Sequence, residues 1–261
     1  MINILNDDGT LNNNVPVNFR GLSTIEARDK ILTLMKEKDI YEGSEEVNNK
    51  IPKGDRSSAV IEPLLKYQWF LDVKDMAEES MKAVKSGDIE FKPKFWENTF
   101  FEWMKNIKPW CISRQIIWGH KIPVWTCNNN FSVAAQDEKE ALLEYQKKYN
   151  KMPDDFVRES DVLDTWFSSG LWPFSTLGWP KNNEKYSNFF PTSILVTGFD
   201  IIFFWVARMI MMSIKLTKQI PFKVVYIHNL IRDQKGDKMS KTKGNVIDPL
   251  ELIDQHGTDS L

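Results

Sequence analysis

The fold of this chain is decided by Ser193-Ile194-Leu195-Val196-Thr197-Gly198-Phe199-Asp200, which leads into the apolar segments 201–215 and 222–231. The run 193–197 is almost continuously apolar, as is typical of a strand buried on both faces. Segment 201–215 predicts a buried helix with Asp200 as its N-cap, and 222–231 predicts a second buried strand. Strand, helix and strand in this order form a βαβ unit with a parallel sheet, so we predict an α/β fold.

A lysine-rich loop with a glycine at each end follows the second predicted strand. It reads Gly236-Asp237-Lys238-Met239-Ser240-Lys241-Thr242-Lys243-Gly244-Asn245. Glycine adopts backbone angles that other residues avoid, so this lysine loop is predicted to be free to move. Clustered ammonium groups need water or an anionic partner, and a polyphosphate is one such partner. The other interpretation is a solvated charged turn, because short lysine motifs often match by chance.

The turn at Gly198–Asp200 and the lysine loop both leave predicted strands at the same edge of the sheet. In open parallel sheets, ligands bind outside the carboxyl ends of the strands. Asp200 and the lysines can therefore face one pocket, although they are far apart in the sequence.

Composition argues against several classes of protein. The formal net charge of -2 gives no overall attraction to nucleic acid. Cys111 and Cys127 are too far apart for a Cys-x-x-Cys pair, and there are only 3 histidines, so we predict neither a protein-bound metal nor a disulfide framework. The first eight residues do not resemble a secretory signal. The most apolar run contains Asp200 and Arg208, which argues against a membrane span. We expect a cytoplasmic protein without a membrane partner.

Three further segments carry local patterns. Residues 1–60 are rich in turns around one predicted helix, 25–38, and residues from about 127 to 156 form a polar segment with a predicted helix at 138–149. Residues 161–170 predict a short element that leads into a tight Ser/Gly turn. Tryptophans recur about every seven residues, which favours a core stripe: Trp96, Trp103, Trp110, Trp118 and Trp125. Pro109 is predicted to end the helix that carries the first two, so the later three are expected on different elements.

Taken together, several blocks resemble the class I aminoacyl-tRNA synthetases. The lysine loop is similar to their Lys-Met-Ser-Lys-Ser signature, with Thr242 in place of the last serine. Two blocks, 110–115 and 118–125, resemble the members for valine, isoleucine and leucine. Two others, 161–175 and 197–209, resemble the valine-specific members in particular. The resemblance extends from Met1 to Leu261.

The resemblance implies a domain organisation. Residues 61–261 are expected to form the second half of a Rossmann-type, parallel-sheet catalytic domain, with a surface insertion at about 127–156. Residues 1–60 are expected to be the tail of an inserted editing domain. The second signature of the class, His-Ile-Gly-His, is not matched, because His120, His228 and His256 are far apart. We therefore expect an internal fragment of a monomeric enzyme, without that first half and without the anticodon-binding domain, and inactive alone.

The resemblance also implies the site residues. Lys238 and Lys241 are expected to be catalytic, and Lys243 to be either a solvent-facing charge or a phosphate contact. Trp166, Ile201 and Trp205 are expected to form the amino-acid pocket. ATP is expected to arrive with Mg²⁺, which is held mainly by phosphates and water. The expected ATP-binding residues are Lys238, Met239, Ser240, Lys241, Thr242 and Asp200.

The implied function is the ATP-dependent activation of valine and its transfer to tRNA(Val). A pocket sized for valine cannot firmly exclude threonine, a problem for which these enzymes are the standard example, so editing of threonine is implied as well. Two alternatives remain open at this stage. The chain could be a non-catalytic RNA-binding or interaction module that reuses the fold, or another class I nucleotidyl-transfer enzyme with the same lysine loop.

Overall fold

The computed structural model describes residues 2–54, 57–127, 131–153, 155–181, 183–233, 235–237, 239 and 244–260. Backbone contacts divide the chain into two units, Met1–Tyr67 and Gln68–Leu261. None of the described helices combines the length and the apolar character that a membrane crossing requires.

The first unit contains a short 3₁₀ turn, Val17–Phe19, and one long helix, α1 (Thr24–Glu37). This helix confirms the predicted 25–38 to within one residue. It begins where it does because Ser23 and Glu26 form a capping box, in which each side chain accepts a hydrogen bond from the backbone amide of the other residue. The assignment of this region to an editing domain stays a prediction.

The second unit carries the sheet and most of the helices. Its first elements are β1 (Phe70–Leu71), α2 (Lys74–Lys85), β2 (Glu90–Lys92) and α3 (Trp96–Lys105). Its middle part consists of β3 (Trp110–Cys111), β4 (Ser113–Arg114), β5 (Val124–Cys127), β6 (Phe131–Ala134), α4 (Glu138–Tyr149), β7 (Val157–Arg158), β8 (Val162–Leu163) and α5 (Thr165–Ser175). Its last elements are α6 (Glu184–Phe189), β9 (Thr192–Gly198), a 3₁₀ turn (Phe199–Ile201), a π-helix (Ile202–Ala207), α7 (Arg208–Thr217), β10 (Phe222–His228), α8 (Pro249–His256) and a 3₁₀ turn (Thr258–Ser260).

The predicted βαβ unit is present as β9, α7 and β10. The two strands are parallel neighbours, and β2 pairs in parallel with the other side of β10, so the strand order is β2-β10-β9. Val225 at the centre of β10 is opposite Leu195 on one side and Phe91 on the other. The α/β fold with a parallel sheet is therefore confirmed.

One face of this sheet packs against helices and the other is open. Leu195 and Val225 are buried in a core to which α7 contributes Met209, Ile210 and Met211. On the opposite face, Ile194 and Val196 are 51% and 57% exposed. The prediction of a strand buried on both faces is therefore wrong for β9. Within the described part of the chain, the helices cover only the side to which alternate strand residues point.

The segment around α4 has a small core of its own. Strands β6, β5 and β7 form an antiparallel sheet, and α4 packs on it through Ala141 and Tyr145. The helix matches the predicted bounds 138–149 because Asp137 caps its N-terminus by accepting a hydrogen bond from the Glu140 amide. Whether this segment is an insertion stays a prediction.

The tryptophan pattern does not form one core stripe. Trp110 and Trp125 are buried, but Trp103 is half exposed and Trp118 is 91% exposed. The stripe interpretation is wrong because α3 ends at Lys105, so the later tryptophans belong to short strands and loops that have no helical period.

Residues 168–170 also differ from expectation, since they lie inside α5 and not in a tight turn. The hydroxyls of Ser168 and Ser169 both donate to the Thr165 carbonyl, which is a helical spacing. Gly170 lies where α7 comes close to α5. A Cβ atom on Gly170 would lie 3.6 Å from the backbone oxygen of Arg208.

The packing of α7 yields a stability prediction. Ile210 is fully buried, so Ile210→Ala is expected to lower the free energy of unfolding by about 2–5 kcal/mol. Leu216 on the same helix is 42% exposed, and Leu216→Ala is expected to cost about 1 kcal/mol. Urea unfolding followed by tryptophan fluorescence measures both. Equal losses in the two variants would contradict this location of the core.

Candidate active site

The carboxyl edge of the parallel sheet gathers polar groups from two strands. Gly198 at the end of β9 is the register partner of His228 at the end of β10. A Cβ atom on Gly198 would lie 2.8 Å from Asp200 Oδ1 and 3.8 Å from His228 Cε1. Glycine at this position therefore lets a carboxylate and an imidazole approach the same strand end.

His228 has a defined tautomer at this edge. Its Nδ1 lies 2.9 Å from the backbone oxygen of Asn229. Because a carbonyl oxygen only accepts, Nδ1 carries the proton, and Nε2 is an acceptor when the ring is neutral. The sequence pattern did not single out His228 as a site residue. The available signal was its position near the end of a predicted buried strand.

Asp200 lies at the predicted edge, but not in the predicted role. It belongs to the 3₁₀ turn Phe199–Ile201, and no side chain caps that turn. A π-helix follows, and α7 begins only at Arg208. The N-cap prediction is therefore wrong. Asp200 lies inside a turn that precedes the helix, whereas a cap must lie at its boundary.

The elements that carry the three expected pocket residues are in contact. Trp166 on α5 stacks on Phe204 of the π-helix, with ring centroids 5.8 Å apart. Trp205, also in the π-helix, donates from Nε1 to the backbone oxygen of Ser169 on α5 at 3.0 Å. Ile201 directly precedes the π-helix, and Trp166, Ile201 and Trp205 are all half-buried. Each of the two contacting elements thus carries one of the two indoles, and the two indole rings are not in direct contact.

A buried ion cluster lies where α5 meets α7. Asp164, directly before α5, accepts at Oδ2 from Arg208 Nη1 and from Trp110 Nε1, each at 2.9 Å. Arg114 Nη2 lies 3.3 Å from the same oxygen. The side chains of Asp164 and Arg208 are 7% and 9% exposed. The Arg208 guanidinium carbon also lies 3.8 Å from the Trp110 ring centroid, a cation–π contact.

Burial lowers the pKa of Arg208 from its ordinary value, and the Asp164 carboxylate acts in the opposite direction. The cost of burying this guanidinium is therefore offset by its carboxylate partner. In the sequence, Arg208 served only as an argument against a membrane span. Asp164 was not identified as its partner, because the two are far apart in the sequence.

The lysine loop is described only at its ends. Lys238, Ser240, Lys241, Thr242 and Lys243 lie outside the described residues, and Met239 is half-buried. The flanking Gly236 and Gly244 have φ angles of +81° and +65°, which favour glycine. Their conformation matches a loop that turns sharply at both ends.

One carboxylate ties the two ends of the lysine loop together. Asp233 Oδ1 accepts from the backbone amides of Lys235 and Asp237 at 3.0 and 2.7 Å. Asp233 Oδ2 accepts from Asn245 Nδ2 at 2.8 Å. Residues on both sides of the lysines are therefore held at one point. Asp233 was not among the residues expected from the sequence.

In the described ranges, no group of three or more His, Cys, Asp or Glu side chains is arranged to hold a metal ion. The chemical groups shown at the ends of β9 and β10 are the Asp200 carboxylate and the His228 imidazole.

Comparison with known proteins identifies the family. The family model described as tRNA synthetases class I (I, L, M and V) matches residues 14–261. The chain belongs to this family. The resemblance inferred from the sequence blocks is confirmed.

Two curated relatives of this class I synthetase chain are valine--tRNA ligases. That of Coxiella burnetii (strain RSA 493 / Nine Mile phase I) is 52% identical over 262 residues, which cover 100% of this chain and 28% of the relative. That of Pelagibacter ubique (strain HTCC1062) is 52% identical over 261 residues, covering 100% of this chain and 30% of the relative. The chain therefore spans less than a third of the length of these relatives.

A solved structure supports the synthetase fold independently of close sequence similarity. The apo form of Mycobacterium tuberculosis methionyl-tRNA synthetase aligns with a TM-score of 0.52 and 14% sequence identity. The alignment covers 80% of this chain and 34% of that one. At this identity the likeness concerns the fold alone.

The buried ion cluster of this synthetase chain yields a second prediction. Asp164→Ala leaves Arg208 buried without its partner, so it is expected to cost about 3–5 kcal/mol of stability. Adding Arg208→Met is expected to recover at least half of the loss, since the unpaired charge is then removed. Chemical unfolding measures both, with the exposed Asp155→Ala as the matched control. A double variant no more stable than Asp164→Ala would argue against a shared buried pair.

The base of the lysine loop yields a third prediction. Asp233→Ala removes the acceptor for the Lys235 and Asp237 amides, so those amides are expected to exchange with solvent at least tenfold faster. Asp237→Ala makes the same charge change while the backbone bonds remain. Hydrogen–deuterium exchange with mass spectrometry compares the two. Equal protection of 235–237 in both variants would show that Asp233 does not hold the loop ends.

Proposed function

We propose that this chain is part of a valine--tRNA ligase, which activates valine with ATP and transfers the valyl group to tRNA(Val). The observation that carries the proposal is the 52% identity to valine--tRNA ligases along the whole chain. The sequence blocks 161–175 and 197–209, which resemble the valine-specific members, support the same substrate.

The proposed chemistry is an attack of the valine carboxylate on the α-phosphorus of ATP, with pyrophosphate as the leaving group. Charge develops on the phosphoryl oxygens, so catalysis consists of positioning and electrostatic stabilisation. Lys238 and Lys241 are the proposed catalytic cations. Their loop follows β10 directly, and its ends are tied at Asp233, which supports a location at the carboxyl edge of the sheet.

The ATP molecule is proposed to lie between the lysine loop and the strand ends. Mg²⁺ is proposed to accompany the triphosphate and to be held mainly by phosphates and water. The exposed Asp200, beside Gly198, is close enough to the strand ends to contact the nucleotide. The other proposed ATP-binding residues are Lys238, Met239, Ser240, Lys241 and Thr242.

The valine side chain is proposed to lie against Trp166, Ile201 and Trp205. Two indoles and an isoleucine would give this proposed site apolar walls, and the half-burial of all three leaves surface for a ligand. Since such a pocket cannot firmly exclude threonine, we propose that the whole enzyme also edits threonine and that residues 1–60 are scaffold for that domain. We place the enzyme, as a monomer, in the cytoplasm, where free Cys111 and Cys127 stay reduced.

The test uses a chimera in which this chain replaces the matching segment of the Coxiella burnetii valine--tRNA ligase. We expect valine-dependent exchange of pyrophosphate into ATP. Lys241→Ala is expected to slow this exchange about 10²–10³-fold, as when one preorganised transition-state contact is removed. Valine binding is expected to change little. Lys235→Ala, at the exposed base of the loop, is the matched control.

Three results would contradict the proposal. The chimera could exchange pyrophosphate with isoleucine or leucine in preference to valine. Lys241→Ala could weaken valine binding as much as it slows exchange. The 261-residue chain could catalyse robust exchange alone, although its three histidines cannot form the second class I signature. Salt-sensitive tRNA binding without any exchange would instead favour the RNA-binding module.

A further inference from the structure

Helix α5 contains a proline at a position that changes its hydrogen bonding. The helix runs continuously from Thr165 to Ser175, and Pro173 is buried inside it. In a regular helix, the amide of residue 173 donates to the carbonyl of residue 169. Proline has no amide hydrogen, and its ring crowds that same carbonyl. The Ser169 carbonyl therefore receives no hydrogen bond from residue 173, the regular helical donor.

The structure supplies a different donor to this carbonyl. Trp205 Nε1 donates to the Ser169 oxygen at 3.0 Å. An indole has only one N–H group, so this bond fixes the direction in which the ring edge points. The ring also lies against Trp172, with centroids 5.9 Å apart and an interplanar angle of 52°. The indole of Trp205 is thus held at both its polar and its apolar side by α5.

The backbones of α5 and α7 lie close together near this bond, and further contacts hold the two helices to each other. Gly170 lies next to Ser169, and the start of α7 is in van der Waals contact with the space where its Cβ would be. The ion pair of Asp164 and Arg208 joins the start of α5 to the start of α7. Trp205 lies in the π-helix directly before Arg208, so the Trp205 bond and the ion pair both fix this end of the π-helix to α5.

We propose that Pro173 is a positioning residue of the amino-acid pocket. By removing the helical donor to the Ser169 carbonyl, it reserves that carbonyl for the Trp205 indole and fixes the indole as a wall of the pocket. The inference rests on the proposed function, in which Trp205 lines the valine site. A fixed wall matters because one methylene group changes the discrimination between two amino acids by only about 1–3 kcal/mol. A ring that can rotate loses most of that discrimination.

The first test concerns the hydrogen bond and does not depend on activity. The 261-residue chain is labelled at its ten tryptophan indoles with nitrogen-15, and the signal that Trp205→Phe removes is the Trp205 indole. In Pro173→Ala, the new helical amide competes for the Ser169 carbonyl. The Trp205 indole signal is then expected to shift and to exchange with solvent at least tenfold faster. In Ser168→Ala, on the same helix, the signal is expected to stay unchanged.

The second test measures the consequence for the pocket in the chimera. Pro173→Ala is expected to raise the KM for valine about five- to tenfold and to leave the KM for ATP unchanged. Trp205→Phe keeps an aromatic ring but has no donor, so it is expected to raise the KM for valine similarly. Ser168→Ala is expected to change neither constant. If Pro173→Ala does not fold, Trp205→Phe still decides, since an unchanged KM for valine there overturns the proposal.

The remaining outcomes separate this inference from the function on which it rests. An unchanged Trp205 signal in Pro173→Ala shows that proline does not control the bond, and the inference fails. A shifted signal with an unchanged KM for valine shows that the indole is not a pocket wall, and the inference also fails. An unsubstituted chimera that does not activate valine refutes the proposed function, while the signal still decides whether Pro173 holds Trp205.

Discussion

A single buried carboxylate holds the second unit in its observed arrangement. Asp164 Oδ2 is approached by Trp110 and Arg114 from one segment of the chain and by Arg208 from another. Burial of such a pair gains little over apolar residues of the same size, because desolvation offsets the attraction. Loss of one partner is costly, however. The pair therefore acts less as a source of stability than as a constraint that admits one packing of α5 against α7.

This constraint reaches the candidate site through chain connectivity. Asp164 directly precedes α5, which carries Trp166, and Arg208 directly follows the π-helix, which carries Trp205. The wider turn of the π-helix changes the direction of the side chains before α7 begins, and such turns are frequent at functional sites. The hydrogen bond from Trp205 to Ser169 then fixes the same two elements at a second point. Both indoles are thus positioned by contacts outside any ligand pocket.

The sequence predicted those features that depend on local chemistry. The βαβ unit follows from apolar runs, and α1 and α4 lie within a residue of the helices predicted at 25–38 and 138–149. Features that depend on distant partners were missed. The packing of Gly170 against Arg208 joins residues far apart in the sequence, and the exposed face of β9 depends on which helices cover the sheet. No local pattern contains that information.

The same difference between local chemistry and distant partners explains which residues of the candidate site were expected and which were missed. Trp166, Ile201 and Trp205 were expected only because the blocks around them resemble a family, since aromatic residues in apolar segments are ordinarily core. Asp164 and Asp233 were missed for another reason. Asp164 and Asp233 act through the groups that they hold together. In a sequence, an aspartate that accepts hydrogen bonds from two loop ends cannot be told from any other surface aspartate. A charged residue inside an apolar run, such as Arg208, is the one local sign that such a partner exists.

The two sides of the proposed site are the apolar walls and the lysine loop. They are held by different kinds of contacts, and the proposed reaction requires that difference. Discrimination between amino acids that differ by a methyl or hydroxyl group rests on small energies, so the walls that contact valine must not move. Hydrogen bonds and an ion pair between regular elements meet that need. A triphosphate must be enclosed for reaction and released as pyrophosphate, so its cations belong on a segment that can open. In the sequence the lysines accordingly lie between two glycines at positive φ, and the two ends of their loop are tied at Asp233. A lysine on the rigid walls would bind pyrophosphate without a route for release, and a pocket on the loop would not distinguish valine from its neighbours.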